Sequence, residues 1–343
     1  MSLFPRVGRQ QTGLRIAWYT MVTFLVLGIL LHLFPFYYML VTSITPAQEA
    51  MGLRPSFWPQ NPTFAAWQLI WEATTKNSTN AAARAMLEHP YSVYFLNSLF
   101  IAAATMLFSL PITSLAAYAV SKLLRGPAAR WAFLFFIGTL FLPGMVTLTA
   151  NYLLVLNFPF PVPKVPNIPG TETAFPTMRL YNTPWAVIIP GLFGAYNFLL
   201  FKGYFDTIPD SIIQAARVDG GSEMNIFRRI VLPMSVPVYA VAAWTMFGGV
   251  WESFLWPKLV LADNEKQTAA VAIYEIMQKF NTEGTTDQAR IQQQAESMRE
   301  MLAAGLSWNG LMVLGILQTV PIFIMFMICR EYLMKGIKIR GLK

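Results

Sequence analysis

The sequence predicts an all-α, polytopic membrane protein with six transmembrane helices, and three observations carry that expectation. Of 343 residues, 55% are hydrophobic and only 12% charged, a balance too apolar for an ordinary soluble domain. Apolar runs of bilayer-crossing length recur at about 16–41, 94–121, 131–150, 184–205, 236–256 and 306–329. Between them, Lys and Arg alternate between short, densely basic segments and long, sparsely basic ones, the asymmetry that orients a membrane protein.

The first run follows Arg6, Arg9 and Arg15. It is too long for a secretory signal and lacks a convincing small-residue cleavage site, so it reads as an uncleaved span. His32 and Pro35 within it read as a satisfied interior histidine and a tolerated kink. The polar stretch 42–92 carries Phe57-Trp58-Pro59 and Asn61-Pro62-Thr63-Phe64, aromatics suited to an interface. The second span holds Phe95-Leu96-Asn97-Ser98-Leu99 and Ala116-Ala117-Tyr118-Ala119, whose small residues permit close helix packing.

A short basic loop with Lys122, Arg125 and Arg130 leads to the third span, which contains Pro143-Gly144. Phe158 to Gly170 is proline-rich, which forbids a regular helix and favours a stiff extended connection. The fourth span precedes a polar segment, 206–233, and the fifth follows it. The loop 257–305 is the longest polar excursion. Within it Asp287 to Ala304 reads as a glutamine-rich surface helix with Ile291, Ala295, Met298 and Leu302 on one stripe, ending at Gly305. After the sixth span comes a basic tail, Arg330 to Lys343.

Composition excludes several classes. A single cysteine, Cys329, allows no disulfide within the chain, and His32 and His89 are too few and too separated for a His/Cys metal cluster. The net charge of +8 is spread around apolar spans, which speaks against nucleic acid. No Walker A loop, HExxH or GxSxG element is present, so no catalytic residues, metal or cofactor are expected. Any ATP-driven work must come from a partner.

The segment Ile208 to Pro233 reads as a short helix, a glycine turn and a second short helix. Pro209 suits a first helical turn, and Ile212, Ile213 and Ala216 form an apolar face. Asp219-Gly220-Gly221 stops the helix through a left-handed glycine. Ser222 can cap the next helix, Glu223 favours its positive end, and Arg228 and Arg229 complement its negative end. Pro233 closes the unit. On physics alone an ordinary hairpin between spans is as good a reading.

Gln214-Ala215-Ala216, Asp219-Gly220 and Ile230-x-Leu232-Pro233 nevertheless resemble the EAA signature of permease subunits of ATP-binding-cassette importers, with Gln214 where that family usually has Glu. Asn61-Pro62-Thr63, Phe95 to Leu99, Ala116 to Tyr118, Pro143-Gly144, Trp251 through Pro257 and Tyr332 to Gly336 follow in the order of carbohydrate-uptake permeases of the MalG type. The resemblance covers most of the chain.

It implies a type I importer permease fold in a bacterial or archaeal cytoplasmic membrane. The partners implied are a second, MalF-like permease, a cytoplasmic ATPase homodimer and an extracytoplasmic sugar-binding protein. The solute implied is maltose, maltodextrin or another oligosaccharide. Coupling to the ATPase would fall on Gln214, Ala215, Ala216, Arg217, Asp219, Gly220 and Arg228, with the C-terminal tail reaching the same interface. The charge asymmetry puts both termini and this segment in the cytoplasm. Asn97, Trp251 and Glu252 are candidates for the solute path, against a helix-packing amide, an interfacial anchor and a salt-bridged end residue.

The proline-rich and glutamine-rich segments look like insertions, assigned here to contacts with the binding protein or the sister permease. A polyol, glycerol phosphate or an amino acid is the competing solute. A secondary transporter would need mid-membrane ion sites or an internal repeat, and neither is clear.

Overall fold

The computed structural model describes residues 12–52, 57–74, 87–158, 178–280 and 288–335. The arginines Arg6, Arg9, Arg54 and Arg84, the proline-rich segment beyond Phe158, Asp287, and the tail from Gly336 to Lys343 lie outside the described residues. The all-α expectation holds. Among the described residues the only β-type pairing is an isolated bridge between Phe158 and Met178.

The longer helices are α1 (Thr12–Ser43), α2 (Ala65–Thr74), α3 (Tyr91–Tyr118), α4 (Gly126–Gly138), α5 (Gly144–Leu156), α6 (Ala195–Asp206), α7 (Asp210–Val218), α8 (Val236–Trp251), α9 (Ala269–Phe280), α10 (Gln288–Ala303) and α11 (Trp308–Lys335). Among the described residues three helical stretches are long and apolar enough to cross a bilayer: α1, α3 with the π turn Ala119–Leu123 that continues it, and Trp308–Leu333. Two bent pairs qualify if each is one crossing, Gly126–Phe141 with Gly144–Leu156 at 103° and Glu223–Met234 with Val236–Trp251 at 79°.

Three of the expected runs are not continuous helices. The run 131–150 breaks at Leu142, which is extended (ψ 120°), before α5 starts behind Pro143, because proline pushes the preceding residue out of the helical region. The run 184–205 divides into Trp185–Ile188, a 3₁₀ turn at Pro190–Leu192, and α6. Pro190 has no N–H to continue a helical ladder. The run 236–256 stops at Trp251 and restarts as Leu255–Val260, with Pro257 in the new first turn where its missing N–H costs nothing. Pro233 likewise lies in a short helical turn, Leu232–Met234, rather than closing the segment.

The chain forms two compact units. One is made of Met1–Ala73, Ser78–Met86 and Thr282–Leu317. Buried polar side chains stitch it together: Asn309 donates to the Thr45 carbonyl at 3.0 Å, Ser307 to that of Ala47 at 3.0 Å, and the Trp67 indole to Ser43 Oγ at 3.2 Å. In a water-poor interior each such bond prevents a desolvated polar group from going unpaired. His32 donates to the Gly28 carbonyl at 2.7 Å on the exposed surface of α1, so it is satisfied but not interior. Among the described side chains of α10, Met301 is buried, Met298 and Leu302 of the expected stripe are half-buried and Ala295 is exposed, while the Ile291 side chain lies outside them. Gly305 ends α10 with φ +84°.

The other unit comprises Thr74–Asn77, Leu87–Asn281 and Gln318–Lys343. α3 is its axis, with α6 and α8 packed along it. Ser98, Ala102, Thr105, Ser109, Thr113 and Ala117 are all buried, and a stripe of such small side chains lets helices approach closely. One apolar core joins Ala117, Tyr118 and Val120 to Phe198, Phe201 and Phe205 of α6 and to Val238 and Ala242 of α8.

Candidate functional site

The polar segment 208–233 is anchored on that core. Ile213, Ile226, Phe227 and Val231 are buried in it, each worth roughly 1.5–3 kcal/mol relative to exposure. Phe227 packs against Tyr118 with ring centroids 5.2 Å apart. Ile212, expected on the same face, is 38% exposed. A helix has one inward stripe, and Ile213 holds it.

α7 begins behind Pro209, which takes the N-cap position rather than the first turn. It ends through hydrogen bonds from Gly220 N to Arg217 O at 3.0 Å and from Gly221 N to Ala216 O at 2.9 Å. Gly220 has φ +80°, the left-handed cap that glycine adopts without steric cost. Gly221 is required for a different reason: a Cβ there would lie 2.8 Å from the Ala216 carbonyl oxygen. Ser222 occupies the next N-cap position without a side-chain capping bond. The chain then passes through a π turn, Phe227–Val231, before Leu232–Met234.

A polar network ties α7 to the end of α3 at both of its ends. Lys122 donates to Asp210 Oδ1 at 2.6 Å and to the Ile208 carbonyl at 2.8 Å. The lysine side chain is only 6% exposed while its partner is 71% exposed, so solvent screens the pair and its weight lies in position rather than stability. The Lys122 hydrogen bond holds the Asp210 carboxyl below its ordinary range. At the other end, Arg217 Nε donates to Glu223 Oε1 at 2.6 Å, and its Nη2 donates to the Lys122 carbonyl at 3.2 Å. The Glu223 partner raises the guanidinium pKa. Tyr118 OH donates to Glu223 Oε2 at 2.9 Å. Ser121, Lys122, Arg125, Asp210, Gln214 and Arg217 help line an open polar cavity of about 330 Å³ beside these groups.

Gln214, Ala215, Val218 and Asp219 are exposed, Gln214 where it borders that cavity, and Met224 is exposed as well. Val218 is 87% exposed. Arg217 is therefore engaged, Ala216 is half-buried, and Arg228 is exposed.

The structure treats Asn97, Trp251 and Glu252 differently. Asn97 Nδ2 donates to the carbonyls of Glu265 and Gln267 at 2.8 and 3.1 Å, holding a turn against α3. Asn97→Ala is expected to destabilise the protein by about 1–3 kcal/mol, read as a lower unfolding midpoint, with solute preference unchanged. Trp251 is 1% exposed, edge-on to Phe95 and stacked on Phe247. Its indole donates to the Gln318 carbonyl at 2.9 Å, and the Gln318 side chain donates back to Trp251 O at 3.2 Å. Glu252 alone of the three is exposed, at the end of α8, and forms no ion pair among the described residues.

Sequence reasoning missed the roles of Gln318, Lys122 and Tyr118, and gave Gly221 only as part of the helix stop. A lone Gln within an apolar run was a signal for the first. Nothing local distinguishes the others.

The described residues thus combine apolar helices of bilayer-crossing length with an anchored polar segment bearing an exposed helix. The family model described as "Binding-protein-dependent transport system inner membrane component" matches residues 95–339, and the chain belongs to that family. It is a membrane-spanning permease subunit of a binding-protein-dependent importer and not itself a catalytic subunit. The sn-glycerol-3-phosphate transport system permease protein UgpE of Yersinia pestis bv. Antiqua (strain Antiqua) is 25% identical over 313 residues, covering 91% of this chain and 93% of that protein. The inner membrane ABC transporter permease protein YcjP of Escherichia coli (strain K12) is 24% identical over 321 residues, covering 93% and 94%. A solved bacterial ABC transporter involved in the import of the acidic polysaccharide alginate has a chain that matches with a TM-score of 0.66 at 17% identity, covering 94% of this chain and 98% of that one. That likeness shows the type I permease fold.

Proposed function

We propose that this chain pairs with a second, homologous permease, that a cytoplasmic ATPase homodimer drives the pair through α7, and that an extracytoplasmic binding protein delivers the solute. The six apolar runs are then its crossings, three of them broken, with both termini on the ATPase side. The observation that carries this reading is α7 itself. It is anchored by Ile213, Lys122 and Glu223, while Gln214, Ala215, Val218 and Asp219 are exposed to solvent. An exposed apolar residue on a short anchored helix fits a cleft on a partner. ATP binding that closes the ATPase dimer would move the two α7 helices and shift the permeases between inward-open and outward-open states.

The solute class is a sugar or a related polyhydroxyl compound. Glycerol phosphate is the second reading, favoured by the names of the relatives. The unpaired Glu252 carboxylate favours a neutral solute if that residue borders the path, since an anion would be repelled there. Maltose has no support beyond the sequence resemblance. The helix Gln288–Ala303 is assigned to contacts with the binding protein or the sister permease.

Val218→Asp tests the docking face. It places a charge in the expected cleft without touching the core, so the ATPase should no longer co-purify while the permease remains in the membrane. Undiminished co-purification would remove the basis for this reading.

A further inference from the structure

We propose that Glu223 is a positioning residue whose carboxylate clasps α7 to the end of α3, making the two move as one body. This rests on the coupling role proposed for α7. Beyond the direct chain link to α6 through Thr207–Pro209, the burial of Ile213 and the Lys122 contacts, two routes join the C-terminal end of that helix to the membrane-embedded part of the unit. The covalent one runs through Gly220 and Gly221, a turn closed by two backbone bonds, and then through a π turn at Phe227–Val231. The second bypasses it. One oxygen of Glu223 accepts from Arg217 in the last turn of α7, and the other accepts from Tyr118 at the last residue of α3.

The bypass adds side-chain contacts to the backbone turn. The Arg217 contact is charge-assisted at 2.6 Å, and with side chains 29% and 41% exposed solvent screens it, so its weight, as for Lys122 and Asp210, lies in position. The Tyr118 ring is itself fixed by Phe205 and Phe227, with centroids at 6.3 and 5.2 Å. Arg217 also reaches the Lys122 carbonyl within the π turn Ala119–Leu123, and Lys122 returns to Asp210 at the start of α7. A displacement of α7 therefore reaches α3, along which α6 and α8 pack.

The test uses the full importer in lipid nanodiscs, with spin labels at Ser211→Cys on α7 and Leu107→Cys on the exposed side of α3, in a Cys329→Ala background. In the otherwise unaltered chain the label distance should be the same without nucleotide and after trapping with ATP and vanadate. Glu223→Gln should make that distance differ between the two states while the ATPase stays bound. Tyr118→Phe, which keeps the ring packing, should do so to a smaller extent. The double variant should add little to Glu223→Gln, because both remove the same link. A distance that changes in the unaltered chain, or one that stays fixed in Glu223→Gln with the ATPase bound, would overturn the clasp. If Val218→Asp leaves ATPase binding intact, the docking assignment fails instead, and the two failures are distinct.

Discussion

A Gly220→Val chain is expected to reach the membrane in normal amounts and to bind the ATPase, yet to hydrolyse ATP without matching solute uptake. The reason is conformational. Gly220 sits at φ +80° with open space around its missing Cβ, so valine meets no neighbour there and its cost is carried by its own backbone. For an L-residue that cost is about 1–2 kcal/mol, enough to shift the turn's conformer ratio by a factor of about 5–30. The turn relaxes by moving α7 relative to its anchors. Uptake per ATP hydrolysed in proteoliposomes is the measurement, and normal coupling would defeat the assignment. Gly220→Ala should fall between the two, since alanine lacks the branched carbon.

Trp251→Ala is expected to act on stability rather than on solute choice. The indole is enclosed by Phe95 and Phe247, and its N–H satisfies the Gln318 carbonyl. Truncation leaves a cavity and removes the indole's bond to that carbonyl, at a cost of about 3–5 kcal/mol for a buried tryptophan. Thermal unfolding in detergent should show a large drop, and the yield of assembled importer should fall with it. A variant of ordinary stability with altered solute preference would instead return Trp251 to the solute path. Glu252 is the better target for a specificity change, being exposed and unpaired beside it.

The acid response of the α7 anchor follows from the lowered Asp210 pKa. A depressed carboxyl contributes its interaction above its ordinary value of 3.8 and loses it as the pH falls through the folded value below that. The Asp210 carboxyl that Lys122 holds thus stays ionised across the neutral range. Acidification within that range leaves it in place.

Local rules were sufficient where a single residue decides the backbone. The left-handed caps at Gly220 and Gly305 were legible because only glycine adopts φ near +80° freely. The breaks were signalled as well, by Pro143, Pro190 and Pro257, but apolar run length outweighed them in the reading. Hydropathy measures burial in lipid and is blind to a missing N–H, so it merges two helices across a proline into one span. The exposure of Ile212 and of Ala295 has a similar origin. Periodicity gives a stripe about 100° wide, and only packing decides which residue at its edge turns inward.

By itself, then, the sequence determined an all-helical membrane chain, its family and the turn at Gly220, because composition, motif spacing and glycine's φ range are properties of the residues alone. Tertiary structure decided what holds that turn. Tyr118, Lys122, Arg217 and Glu223 are separated by up to 105 positions, and each is an unremarkable residue type where it stands. Packing of α6 and α8 against α3 brings them within hydrogen-bond reach. Pairings between distant residues depend on that packing and leave no local pattern in the sequence.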